Sequence, residues 1–301
     1  MIKGLAITPP VLGRISIGKI IERNGKRLPE KDDQFSITSQ VQNRDGWVSH
    51  PLDDVLRKKS ENNKIRSIPI KVMFNDPDLN LRADYSLFDK TNGRPVCAGD
   101  GESCRRYTET GMQSLPCPSP DSCSFGKGQC KPYARLSVLI GDEDALGSFI
   151  FRTTGYNSIR TLTARLHYYR AVSGNLLSCL PLELKLRGKS TTQSHRSAIY
   201  YADITVREVM TLDEAITEAR ATHDHRNQIG HDQDALDAAA RLGFANGAFE
   251  ESEDEVQAVL EEFYPENGGH ESGGAGDTGN ATLQSKLDRK AGAMGNQGIP
   301  S

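Results

Sequence analysis

Apolar and polar positions alternate through much of the first two-thirds of the chain, the period of strands that bury one face. Arg14-Ile15-Ser16-Ile17 alternates, Gly18-Lys19-Ile20-Ile21 continues less cleanly, and Asn24-Gly25 offers a tight turn. Gln34 to Thr38 reads as the returning strand after a longer loop. Lys64 to Phe74 alternates again, with Pro69 suiting an edge strand because proline brings no N–H to a ladder. Asn80 to Phe88 is a further strand, closed by a turn over Asp89 to Gly93. Tyr133 to Ile140 and Ser148 to Arg152 form a hairpin across the acidic turn Gly141 to Gly147. Leu182 to Arg187 and much of Ile199 to Arg207 are half-buried strands with basic outer faces.

The period then changes. Ile159, Leu162, Leu166 and Tyr169 recur at helical spacing and predict one main core helix, capped by Thr154 or Asn157 and stopped by Ser173-Gly174-Asn175. Thr211-Leu212-Asp213-Glu214 is a capping sequence for a helix through Arg220. Asp232 to Leu242 and Ser252 to Tyr264 are further acidic helices. After Pro265 the chain turns Gly-, Ser- and Asn-rich with almost nothing to bury, and disorder is expected. The fold class expected is α+β. A mostly antiparallel sheet core with one main helix fills residues 1–210, with a cysteine loop at 97–130. An acidic helical segment occupies 211–264 and a Gly-rich tail 265–301.

Hydrophobic content of 36% and a mean hydropathy of −0.54 are low for a fully globular chain, and the tail accounts for part of that. The first fifteen residues lack the basic, apolar, small-residue order of a signal peptide. No apolar run approaches the length of a membrane span, so a cytoplasmic, reducing setting without membrane partners is expected. The net charge of −3 conceals an asymmetry. Lys131 to Met210 carries 11 Lys and Arg against 6 Asp and Glu, whereas Thr211 to Tyr264 carries 3 against 14. A basic block faces phosphates or an acidic partner, and an acidic block solubilises or shields a basic one.

Five of the six cysteines fall between Cys97 and Cys130, among Pro, Ser and Gly. Thiols this dense in a reducing compartment hold a metal more often than they pair. Tight turns let spaced thiolates meet a tetrahedral zinc without a large core. Cys117, Cys123 and Cys130 supply three ligands, and Cys97 or Cys104 the fourth. The plainer alternative is a set of free thiols in a loop. Cys179, inside Leu176 to Leu180, reads as a small core residue.

Arg152, Arg160 and Arg165, together with Arg187, Lys189 and Arg196, stand among Tyr, Thr and Asn, the mixture that contacts phosphates or a polar partner. A solvated basic face explains them equally well. His223, His225 and His231 with Asp224 and Asp232 would be the site of a metal-dependent hydrolase, although their spacing fits no ligand pattern. No phosphate-binding loop or dinucleotide fingerprint occurs, and His195 stands in no readable nucleophile–base–acid set. An enzyme is not the favoured reading.

The order of several motifs resembles a known family. Cys97 is followed by Asp100-Gly101, and the cysteine loop ends in Cys130-Lys131-Pro132. Then come Arg135-Leu136-Ser137-Val138, the segment Gly147 to Thr153, and Gly155-Tyr156-Asn157-Ser158. This is similar to the recombination directionality factors that accompany large serine integrases of actinophages. It is nearest to relatives on integrative and conjugative elements of proteobacteria, often labelled hydrolase or metal-binding. The resemblance spans Met1 to Met210. It implies a protein that binds a serine integrase–DNA complex and turns its preference from integration to excision, touching DNA directly or through the integrase. It also implies that Cys97 joins Cys117, Cys123 and Cys130 around a structural zinc. A homo-oligomer is compatible with that role. A stand-alone DNA-binding protein of the same mobile element is the other alternative.

Overall fold

The computed structural model describes residues 10–23, 26–43, 46–142, 147–190, 198–244, 259–260 and 263–264. Among the described residues twelve strands form one mixed sheet. They are β1 (Val11–Arg23), β2 (Lys26–Asn43), β3 (Gly46–Ser49), β4 (Ser67–Lys71), β5 (Leu81–Phe88), β6 (Pro95–Gly99), β7 (Ser103–Thr108), β8 (Gly111–Pro116), β9 (Lys131–Ile140), β10 (Ser148–Thr153), β11 (Leu182–Ser190) and β12 (Ala198–Val206). The helices are α1 (Pro51–Lys59), α2 (Pro77–Asn80), α3 (Ser119–Ser122), α4 (Tyr156–Val172), α5 (Leu212–Gln228) and α6 (Gln233–Phe244).

The long path of the sheet runs β3-β2-β1-β10-β9-β5-β6-β7-β8. At the end of β9, Leu139 and Ile140 also pair with β4, which carries β11 and then β12 on its other side. All of these pairings are antiparallel except β1 with β10. The expected α+β class with a mostly antiparallel sheet is therefore the one observed. Strand β9 is the hinge line of the design, because it serves β10, β5 and β4 at once.

Alternation dictates which face is buried. Ile15, Phe35, Ile37, Leu136, Val138, Phe149 and Phe151 point to one side and meet Ile159, Leu162 and Leu166 of α4. Leu182, Leu184, Ala202 and Ile204 of the second wing close the same core, and α5 adds Ala215 and Ala219, one helical turn apart. Cys179 is buried beside them, as its small apolar character suggested.

Several local expectations are corrected. The returning strand begins at Lys26, which pairs with Arg23, and the turn expected at Asn24-Gly25 falls outside the described residues. Pro69 is not on an edge, since β4 pairs on both sides. Its carbonyl accepts the Gly141 N–H at 2.9 Å just past the end of β9, so the missing proline N–H costs only the other bond of that terminal pair. Neither Thr154 nor Asn157 caps α4; Gly155 holds the N-cap with no side-chain bond. The Asn157 side chain accepts from Lys189 Nζ instead. Thr211 and Glu214 do form the reciprocal capping box, but α5 runs on to Gln228. The acidic helix expected over Ser252 to Tyr264 and the tail after Pro265 lie almost wholly outside the described residues.

One ion cluster clamps β2 to the chain entering β4. Asp33 accepts from both Lys64 and Arg66, and these bonds hold its carboxyl well below the usual carboxylate range. A depressed folded pKa contributes stability above the unfolded value of about 4 and loses it as pH falls toward the folded value. Thermal melting between about pH 4 and pH 2 should therefore drop more steeply for the native chain than for Asp33→Asn. Parallel acid limbs for the two proteins would refute this.

Candidate functional site

The cysteine segment is not a loop throughout. Cys97 lies on β6 and Cys104 on β7, Cys117 follows β8, Cys123 follows α3, and Cys130 immediately precedes β9. Asp100 makes the first turn by accepting the N–H groups of Glu102 and Ser103, at 2.8 and 2.7 Å. Gly99 then lets β6 and β7 close up. A Cβ there would stand 2.6 Å from both Ser103 O and the Cys104 Cβ. Gly126 does the same for the second half, since its Cβ would meet the Cys130 Cβ at 2.9 Å and Cys123 Sγ at 3.7 Å.

Five sulfurs consequently share one neighbourhood. Burial pushes the Cys130 thiol up to about 12, with Cys97, Cys123, Cys117 and Cys104 adding to the rise. Cys104 is pushed to about 11, by burial first and by a hydrogen bond with Cys97 second. The Gly126 N–H points at Cys123 Sγ at 3.4 Å, a donor suited to a sulfur carrying negative charge. Arg106, which sequence reading missed, reaches Cys104 Sγ at 3.9 Å and lies over the Phe125 ring at 4.0 Å. Its only sequence signal is alternation with Cys104 along a polar strand.

The donor chemistry suits a thiophilic divalent ion. The positions do not yet form a coordination sphere: among the described residues, no three His, Cys, Asp or Glu side chains are placed to hold a metal. That also bears on the histidine cluster. His223 bonds Asn227 at 3.0 Å, His231 bonds Gln233 at 3.3 Å, and Asp232 caps α6 through the Ala235 N–H at 2.8 Å.

The six basic candidates separate into groups. Arg165 of α4 and Arg187 of β11 converge on the buried Asp203 of β12, at 3.1 and 3.3 Å. Their side chains remain 48% and 44% exposed, so each keeps a solvent-facing edge for a partner. Arg160 is exposed on the same helix, and Lys189 bonds Asn157 at 2.8 Å and lies over the Tyr201 ring. Tyr156 and Tyr168 of α4 are exposed as well. Arg152 stands apart from it on β10 and is buried. Arg196 lies outside the described residues. Asp203 was not foreseen, because nothing local marks an acid in Tyr201-Ala202-Asp203 as the anchor of two distant arginines.

Among the described residues, no helix is long and apolar enough to cross a membrane. Searches among curated proteins and among solved structures found no match. A family model does match, over residues 12–207, which takes in all twelve strands, the thiol cluster and the basic band. By that match the chain belongs to the Gp3-like, recombination directionality factor-like family.

Proposed function

We propose that this protein is an accessory factor in the site-specific recombination of a mobile element. It binds a serine integrase on its DNA and promotes excision over integration. The family match over residues 12–207 carries the reading. Arg165 and Arg187, held by Asp203, together with Lys189, held by Asn157, and the exposed Arg160, offer the integrase, or the DNA it holds, a positively charged surface on α4 and β11. No reacting group needs to be supplied by the factor itself. The decisive experiment is an excision assay with the integrase encoded beside it. Recombination between the product sites should require this protein, and no effect of its addition would refute the role.

In the same reading a structural zinc is held by Cys117, Cys123 and Cys130 with Cys97, or with Cys104 in its place. When bound, the ion would fix the turn-rich segment 117–130 against β6, β7 and the start of β9. One zinc per purified chain is the expected result, lost on Cys123→Ser and kept on His225→Ala. Cys97→Ser and Cys104→Ser compared side by side identify the fourth ligand. A metal-free protein whose melting is indifferent to chelators would overturn this part while leaving the recombination assay to stand alone.

A further inference from the structure

The basic band on α4 and β11 has a hydrogen-bonding sense as well as a charge. Arg165 reaches one oxygen of Asp203 through Nε at 3.1 Å, and Arg187 reaches the other oxygen through its own Nε at 3.3 Å. A guanidinium carries five N–H donors, and the four on its terminal nitrogens take no part in this contact. Asn157 accepts from Lys189 Nζ through Oδ1 at 2.8 Å, which leaves its amide N–H groups and the other Lys189 hydrogens. Both acceptors of the set are thus spent on its own cations. What remains for a partner is donors.

Strand and helix geometry hold these donors in one band. Lys185, Arg187 and Lys189 share one face of β11, and Arg187 and Lys189 stand about 7 Å apart along it. Register sets Lys185 opposite Asp203 of β12, so the carboxylate lies on that face too. Lys185 is already tied to Glu183 and Glu208, so the surplus of positive charge begins at Arg187. Asn157 and Arg165 lie about two turns apart on the flank of α4 that meets β11 and β12. With the exposed Arg160, four cations are set against the one carboxylate that they touch.

A ligand that only accepts, and that repeats its negative charge, matches such a surface. A carboxylate on a folded partner meets the first requirement but brings one charge, to be placed residue by residue. A phosphodiester chain meets both, with a full charge at every nucleotide. Arginine forks suit it further, because they grip paired oxygens where lysine offers a point charge.

We infer that this band grips the phosphodiester backbone of DNA directly. The outward N–H groups of Arg165 and Arg187 make the grip, Asp203 is their positioning residue, and Arg160 and Lys189 are flanking charges. The inference rests on the recombination reading for its setting, in which an integrase holds DNA within reach. Contacts of this kind position a protein on a duplex and carry no sequence information.

The test titrates the full-length protein, without integrase, against a labelled duplex of random sequence at about 50 to 200 mM salt. Log affinity should fall against log salt with a slope of about −3 to −4, close to one unit for each cation that meets a phosphate. Arg165→Gln and Arg187→Gln should each weaken binding about fivefold or more at the lowest salt and make the slope shallower by about one. Arg165→Lys should keep the slope and lose affinity, since the charge is retained and the fork is not. Arg160→Gln with Lys189→Gln breaks no bond of Asp203, and supplies the same readout if the other variants fold poorly. Lys58→Gln, exposed on α1, should change neither quantity. No duplex affinity, or a slope unmoved by the band substitutions, would overturn the inference. So would variants that bind duplex normally but lose capture of DNA-free integrase, which would assign the band to an acidic protein face. The excision assay separates this from the role itself. Excision driven by a protein without duplex affinity sinks the inference and keeps the role, and duplex binding through the band with no effect on excision does the reverse.

Discussion

Phe151→Ala is expected to lower the unfolding free energy by about 3–5 kcal/mol, read as a shift in the denaturant midpoint at unchanged slope. Phe151 is 1% exposed and sits where three strands meet, opposite Ile15 of β1 and Leu136 of β9. Its ring meets Phe35 edge-on at 6.3 Å between centroids. Truncation therefore removes a large apolar surface and leaves a void walled by three strands, which relax together or not at all. Because β1 and β10 form the parallel junction, the loss is felt on both halves of the sheet. Tyr168→Ala on the exposed side of α4 is the contrast: its cost should stay within about 0.5 kcal/mol. Similar costs for the two would mean that the junction is not the centre of the core.

How far the chain could be read in advance depends on where each feature's cause lies. Alternation in Tyr133 to Ile140 and helical spacing from Ile159 to Tyr169 are consequences of a single buried face, so β9 and α4 were visible locally. The capping box at Thr211 and Glu214 is likewise a contact three residues long. Strands β6 to β8 were read as loop because Ser103 to Thr108 and Gly111 to Pro116 are polar on both faces, and their order comes from turn chemistry and pairing. The thiols stand out by density alone, whereas the strands that carry Cys97 and Cys104 give no such local signal. The line of arginines across neighbouring strands, Arg82 opposite Arg135 and Arg135 opposite Arg152, was beyond local reading altogether. Arg14, Arg82, Arg135 and Arg152 are scattered through the chain, and only strand register makes neighbours of them. Asp203 is the same case on the other wing.

Asp237→Ala is expected to release α6 from the core at a cost of about 2–5 kcal/mol, with hydrogen exchange of the α6 amides accelerated roughly 30-fold or more. Asp237 is 4% exposed and accepts the backbone N–H groups of both Asn75 and Asp76 at 3.1 Å, and Gln233 Nε2 at 2.7 Å. Alanine would leave those two N–H groups facing no acceptor in a buried site, each worth about 1–3 kcal/mol. Gln233 would lose one of its ties while keeping the Met73 carbonyl, so the helix start would loosen before the rest. The outer bond from Arg241 to Asp76 is exposed and too weak to hold α6 by itself. Asp237→Asn keeps one oxygen for both N–H groups but turns its amide donor toward Gln233 Nε2, so its effect should fall between native and alanine. The core strands should retain their slow exchange in both variants, because α6 reaches them through Ala240 and Leu236 rather than through the main cluster. Exchange that speeds equally in α6 and β9 would show instead that the clamp and the sheet unfold as one unit.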